Sequence, residues 1–182
     1  YAPRDSTPDR DIFLVSMDGK QASTLIDHPA DDVVFGWSPD GQWIAFLQGD
    51  EPRFYAYHQA KLAVVPAAGG TARDLLAGKD YETPVPPFGG SSDYAWSPDG
   101  RESAFTTKVG RDQAWTTNTD VYTVGVAGGE PVNVTAGMTG ADQTPAYSPD
   151  GRFLAFLSQR HAAYESDRVR LMVKDRATGA VR

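Results

Sequence analysis

Apolar residues in this chain come in short runs broken by Gly, Pro, Asp and Ser, and the runs fall into two alternating kinds. One kind surrounds the tetrapeptide Ser-Pro-Asp-Gly, found at residues 38–41, 97–100 and 148–151. Each copy follows an aromatic residue (Trp37, Trp96, Tyr147) and leads into a run containing Ala-Phe (Ala45 and Phe46, Ala104 and Phe105, Ala155 and Phe156). The tetrapeptide predicts a tight hairpin: Pro pre-sets φ, Ser and Asp bond to nearby backbone, and Gly takes the left-handed conformation that rejoins the next strand. The run after the first copy, Trp43 to Leu47, is almost wholly apolar. That predicts a strand buried on both faces rather than one with a wet side.

The second kind of run ends in a Gly-containing turn. Residues 12–15 lead to Asp18 and Gly19, residues 62–65 to Gly69 and Gly70, residues 121–124 to Gly128 and Gly129, and residues 171–173 to Thr178 and Gly179. In the first three the offset from the first apolar residue to the first Gly is the same, which predicts another hairpin. The two hairpins alternate at nearly constant distance, since the step from Gly41 to Leu62 equals that from Gly100 to Val121 and exceeds that from Gly151 to Leu171 by a single position. Paired hairpins make a four-stranded antiparallel unit, and such units repeated radially make a β-propeller. A β-sandwich would leave the regular offsets to coincidence, and no segment sustains the 3.6-residue period of a long helix.

The expected fold is therefore all-β, with propeller blades whose strands are A to D from the axis outward and whose Ser-Pro-Asp-Gly turns join A to B. Residues 12–35 supply a C–D hairpin and connection, 33–77 one blade, 93–136 a second and 144–182 most of a third. Propellers close with about four to eight blades, so the ring is expected to be incomplete. The chain, which opens at Tyr1 without a Met, reads as an excised or processed piece of a larger propeller. Unpaired outer strands predict self-association of the isolated segment. Trp37, Trp43, Trp96, Tyr147 and the Phe of each Ala-Phe pair are expected in the blade core.

The turns at one end of such blades are short and uniform, while the B–C and D–A connections at the other end are long and varied. Connections longer than the minimum are the better candidates for function. The B–C connections are residues 48–60, 108–119 and 159–168, and the D–A connection at 79–90 is also enlarged. They carry Phe88, Trp115, Asn118, Tyr164, Glu165 and Arg168, among others.

Composition narrows the chemistry. With 17 basic and 24 acidic residues the net charge is −7, which argues against nucleic acid or an anionic membrane as partner. No apolar run approaches the ~20 residues of a membrane span. The absence of Cys excludes disulfides, thiolate metal sites and a cysteine nucleophile. His28, His58 and His161 lack metal-ligand spacing, no phosphate or calcium loop occurs, and no Gly-x-Ser-x-Gly elbow is present. No cofactor, metal site or catalytic triad is expected in this segment, which should be inactive alone. Glu165 has a bland reading as the ion-pair partner of Arg168, an exposed pair of small worth.

The Ser-Pro-Asp-Gly blades resemble the propeller repeats of the TolB family and of the prolyl oligopeptidase family of serine peptidases. Residues 87–91, 114–122, 164–168 and 171–179 are more specific and look like the propeller of bacterial dipeptidyl-peptidase or acylaminoacyl-peptidase members, near the dipeptidyl peptidase V branch. The resemblance implies a periplasmic or secreted enzyme in which an α/β-hydrolase domain of the same polypeptide holds Ser, Asp and His. The propeller would restrict entry to short peptides and help bind their N-terminal part. It also implies an amine-anchoring role for Glu165, with Trp115, Tyr164 and Phe88 as apolar walls, although Glu165 is followed by Ser166 rather than a second glutamate. The alternative is a TolB-like protein- or peptide-binding propeller without enzymatic activity.

Overall fold

The computed structural model describes residues 10–50, 59–83, 93–109 and 116–182. Among them the chain forms strands β1 (Ile12–Val15), β2 (Ala22–Ile26), β3 (Asp32–Trp37), β4 (Trp43–Gln48), β5 (Lys61–Pro66), β6 (Arg73–Asp74), β7 (Tyr94–Trp96), β8 (Glu102–Thr107), β9 (Asp120–Gly125), β10 (Val132–Asn133), β11 (Asp142–Tyr147), β12 (Phe153–Ser158) and β13 (Arg170–Asp175). Neighbours in sequence pair antiparallel, giving a β1–β2 hairpin, the four-stranded sheets β3–β6 and β7–β10, and the three-stranded sheet β11–β13. An isolated antiparallel bridge joins Lys174 of β13 to Val181. These are propeller blades in an open arrangement.

Each Ser-Pro-Asp-Gly turn is held by a side-chain clasp. Ser38 Oγ donates to Asp40 Oδ1 (2.5 Å) and accepts from the Trp43 N–H (2.9 Å), while Asp40 accepts from the Gln42 N–H (3.0 Å). Ser97 with Asp99 and Ser148 with Asp150 repeat it, and Gly41, Gly100 and Gly151 all have φ of 68–69°. The serine hydroxyl holds each of these carboxyl groups below the ordinary Asp range. Ser16, Asp18 and Gly19 build the same clasp between β1 and β2 without a proline, a turn whose sequence showed only its Asp-Gly.

Burial follows position in the stack. In β4 and β8 side chains on both faces are covered, with Phe46 and Phe105 fully buried, because each lies between two sheets. Burying such a ring contributes about 2–3 kcal/mol. Strand β12 instead alternates, with Leu154 and Phe156 packed on Ala104 and Val121 of the preceding sheet, and Leu171 in β13 is 68% exposed. The three hydrophobic clusters sit between sheets: β1–β2 against β4–β5, the β3–β6 sheet against the β7–β10 sheet, and the latter against β12.

The aromatic residue before the second and third turns ties one sheet to the one before it. Trp96 Nε1 donates to the Gly36 carbonyl (3.4 Å), and the Tyr147 hydroxyl donates to Glu102 Oε1 (3.1 Å), where Arg176 also binds. Trp37 departs from the expected core position and is 53% exposed. The sheet before it is the β1–β2 hairpin, which presents no inner strand to receive the ring.

Candidate functional site

In these meandering sheets the hairpin turns lie at one end and the B–C and D–A connections at the other. The connection 159–168, between β12 and β13, lies wholly within the described residues. Two side chains shape it. Asp167 Oδ2 accepts from the N–H groups of Arg160 (2.6 Å) and His161 (2.9 Å), and Oδ1 accepts from the Arg168 N–H (2.7 Å). His161 Nδ1 lies 3.1 Å from the same carboxylate, and Arg170 lies 3.7 Å away. The backbone donors hold the Asp167 carboxyl far below the ordinary range, so it stays charged. Gln159 Nε2 donates to the carbonyls of Glu165 (3.1 Å) and Asp167 (3.0 Å).

The tip of this connection is a turn closed by the Asp167 N–H donating to the Tyr164 carbonyl (3.1 Å), with Ala163 left-handed at φ 54°. Glu165 and Ser166 are its central residues. Tyr164 is 56% exposed, and Glu165 and Arg168 also face solvent. No ion pair joins Glu165 to Arg168 among the described residues, so the turn presents an uncommitted carboxylate, an uncommitted guanidinium and an aromatic ring.

Asn118 occupies the neighbouring connection and is engaged in structure. With its amide oriented so that nitrogen donates, it reaches the carbonyls of Thr139 (3.2 Å) and Gly140 (2.6 Å), and its own N–H is held by Thr116 Oγ1 (3.0 Å). Thr139 Oγ1 donates to the Arg160 carbonyl (3.0 Å), which continues the contact into the 159–168 connection. Gly140 allows the closest approach, since a Cβ there would sit 2.3 Å from the Gln159 carbonyl oxygen. A cleft of about 200 Å³ opens beside this junction, walled by Met138, Met172, Gln159 and Arg170. Phe88 and Trp115 lie outside the described residues.

No protein-family model matches the chain. Dipeptidyl-peptidase 5 of Porphyromonas gingivalis is 40% identical over 111 residues, covering 60% of this chain and 16% of that protein. Dipeptidyl-peptidase 5 of Porphyromonas endodontalis is 35% identical over 173 residues, covering 88% of this chain and 25% of that protein. The chain thus spans a quarter or less of the length of these curated relatives. Among solved structures, a prolyl endopeptidase superposes with a TM-score of 0.64 at 18% identity, over 97% of this chain and 26% of that one. The chain is similar in sequence to part of the dipeptidyl-peptidase 5 proteins and has the propeller fold of such peptidases. TolB from Acinetobacter baumannii has the same fold, with a TM-score of 0.56 at 19% identity over 98% of this chain and 38% of that one.

Two features of this propeller segment escaped the sequence reading. One is the role of Asp167 as the centre of its connection. The other is Asp142, fully buried at the start of β11 beside Ser158, Thr135 and Asp120. Burial pushes its carboxyl up to about 6, and the charge of Asp120 adds to the rise. The hydroxyls of Ser158 and Thr135 pull the other way, each by more than the charge of Asp120 adds, and burial outweighs them.

Proposed function

We propose that this chain is the part of a serine exopeptidase propeller that admits short peptides and holds their free N-terminal end. An α/β-hydrolase domain of the same polypeptide supplies the nucleophile, and the protein acts in the periplasm or outside the cell. The reading is carried by an exposed, uncommitted Glu165 carboxylate on a fixed turn, in a chain 35–40% identical to parts of dipeptidyl-peptidases. A peptide α-amine, with a pKa of about 7.7–8.0, is cationic at and below neutral pH. Against Glu165 it forms a charge-assisted bond, which strengthens once a second domain covers the turn and excludes water. Tyr164 offers an apolar wall beside that bond, and Arg168 a donor for a peptide carbonyl.

The test is product analysis with the full-length protein. Unblocked peptides should lose N-terminal dipeptides in sequence, and the same peptides with acetylated N-termini should resist. Rapid cleavage of acetylated peptides, or internal cuts in long ones, would remove the amine-holding role. Specific peptide binding without cleavage would favour a TolB-like binding propeller.

A further inference from the structure

We infer that Asp167, together with Gln159, is a positioning residue for peptide binding, fixing where the Glu165 carboxylate stands. The inference rests on the reading of Glu165 as the amine anchor and adds how that anchor is held. The Asp167 side chain is only 7% exposed although the connection around it lies at the surface. Its two oxygens gather backbone donors from both ends of the connection, Arg160 and His161 before the tip and Arg168 after it. Its own N–H closes the turn that contains Glu165. Gln159 pins the Glu165 carbonyl itself. The backbone of Glu165 is therefore held on both sides, and only its side-chain torsions remain to be ordered when an amine binds. Without these ties, binding would also have to order the backbone of the turn.

Neither Asp167 nor Gln159 needs to touch the peptide. Their effect passes through Glu165, and this gives the inference a signature that a general structural role lacks. In the full-length protein, Asp167→Asn keeps the volume but loses the charge and one acceptor oxygen, and Gln159→Leu loses both amide bonds. Each should raise KM for a free-amine dipeptide-release substrate about tenfold, the size of one charge-assisted bond. Each should leave kcat within about twofold and leave the N-acylated substrate unaffected. In the background of Glu165→Gln, Asp167→Asn should add nothing further, because the group it positions is gone.

Glu165→Gln alone reports on the anchor. If it fails to discriminate between the substrates, the anchor reading falls and this inference falls with it. If Glu165→Gln discriminates but neither Asp167→Asn nor Gln159→Leu does, positioning alone is overturned. Additive effects in the double variant, or equal losses on both substrates, would also overturn it. Should Asp167→Asn fold poorly, Gln159→Leu carries the same test.

Discussion

Gly140 couples the packing of the blades to the candidate site, and a single methyl group should expose that coupling. A Cβ at residue 140 would lie 2.3 Å from the carbonyl oxygen of Gln159, 2.5 Å from its carbonyl carbon and 3.0 Å from its Cβ. Backbone atoms cannot swing aside, so Gly140→Ala must push Gln159 away by roughly 1 Å, and overpacking of this kind costs about 1–3 kcal/mol. For a domain of this size that corresponds to a fall of about 3–10 °C in the propeller transition, measurable by scanning calorimetry of the full-length protein. Gln159 also holds the Glu165 carbonyl, so the same variant should raise KM for free-amine peptides several-fold. Gly49 provides the control. It occupies the same close approach at the end of β4, where a Cβ would lie 2.8 Å from Ala30 Cβ and 2.9 Å from the Asp31 backbone, away from the 159–168 connection. Gly49→Ala should lower the transition without changing KM. A Gly140→Ala protein that melts within 1 °C of the parent, or a Gly49→Ala protein with an equally raised KM, would refute this reasoning.

Asp142 and Ser97 each make a further expectation. The Asp142 carboxyl, raised to about 6 from 3.8, binds its proton more tightly folded than unfolded. Its contribution to stability is present below pH 4 and is lost as pH rises from about 4 to about 6. A rise of that size is worth on the order of 3 kcal/mol; Asp142→Asn should therefore stabilise the fold above pH 6 and not at pH 4 in paired melting curves. Ser97 is 2% exposed and makes two of the three bonds of its clasp, so Ser97→Ala should cost about 1–2 kcal/mol. The Asp99 carboxyl should then titrate at higher pH by NMR, since the Ser97 hydroxyl is the main cause of its low value; an unmoved Asp99 would deny the clasp.

What could be read from the residues divides by the range of the interactions. The Ser-Pro-Asp-Gly turns were legible because the bonds of their clasps lie within six consecutive residues, and the strands that follow were legible because their apolar runs leave no wet face. The turn at Ser16, Asp18 and Gly19 shows that the proline is dispensable, since the hydroxyl and carboxylate make the clasp. The exposure of Trp37 was not legible, because it depends on which strands the preceding sheet contains rather than on Trp37 itself. Asn118 stands among the candidates in its long connection, and nothing in the sequence signals that its amide faces carbonyls brought there from another part of the chain. Asp167 was hidden for the same reason. Its importance lies in N–H groups from residues 160 and 161 converging on one carboxylate, and local sequence carries no mark of that convergence.

The central claim is that the turn at Glu165 holds the free amine of a peptide. The most direct measurement is the ratio of KM for an N-acylated peptide to KM for its free-amine counterpart, in the full-length protein and in its Glu165→Gln variant. The account predicts a ratio well above one in the parent and a fall of about tenfold in the variant, with kcat nearly unchanged. The same ratio in both proteins would contradict it.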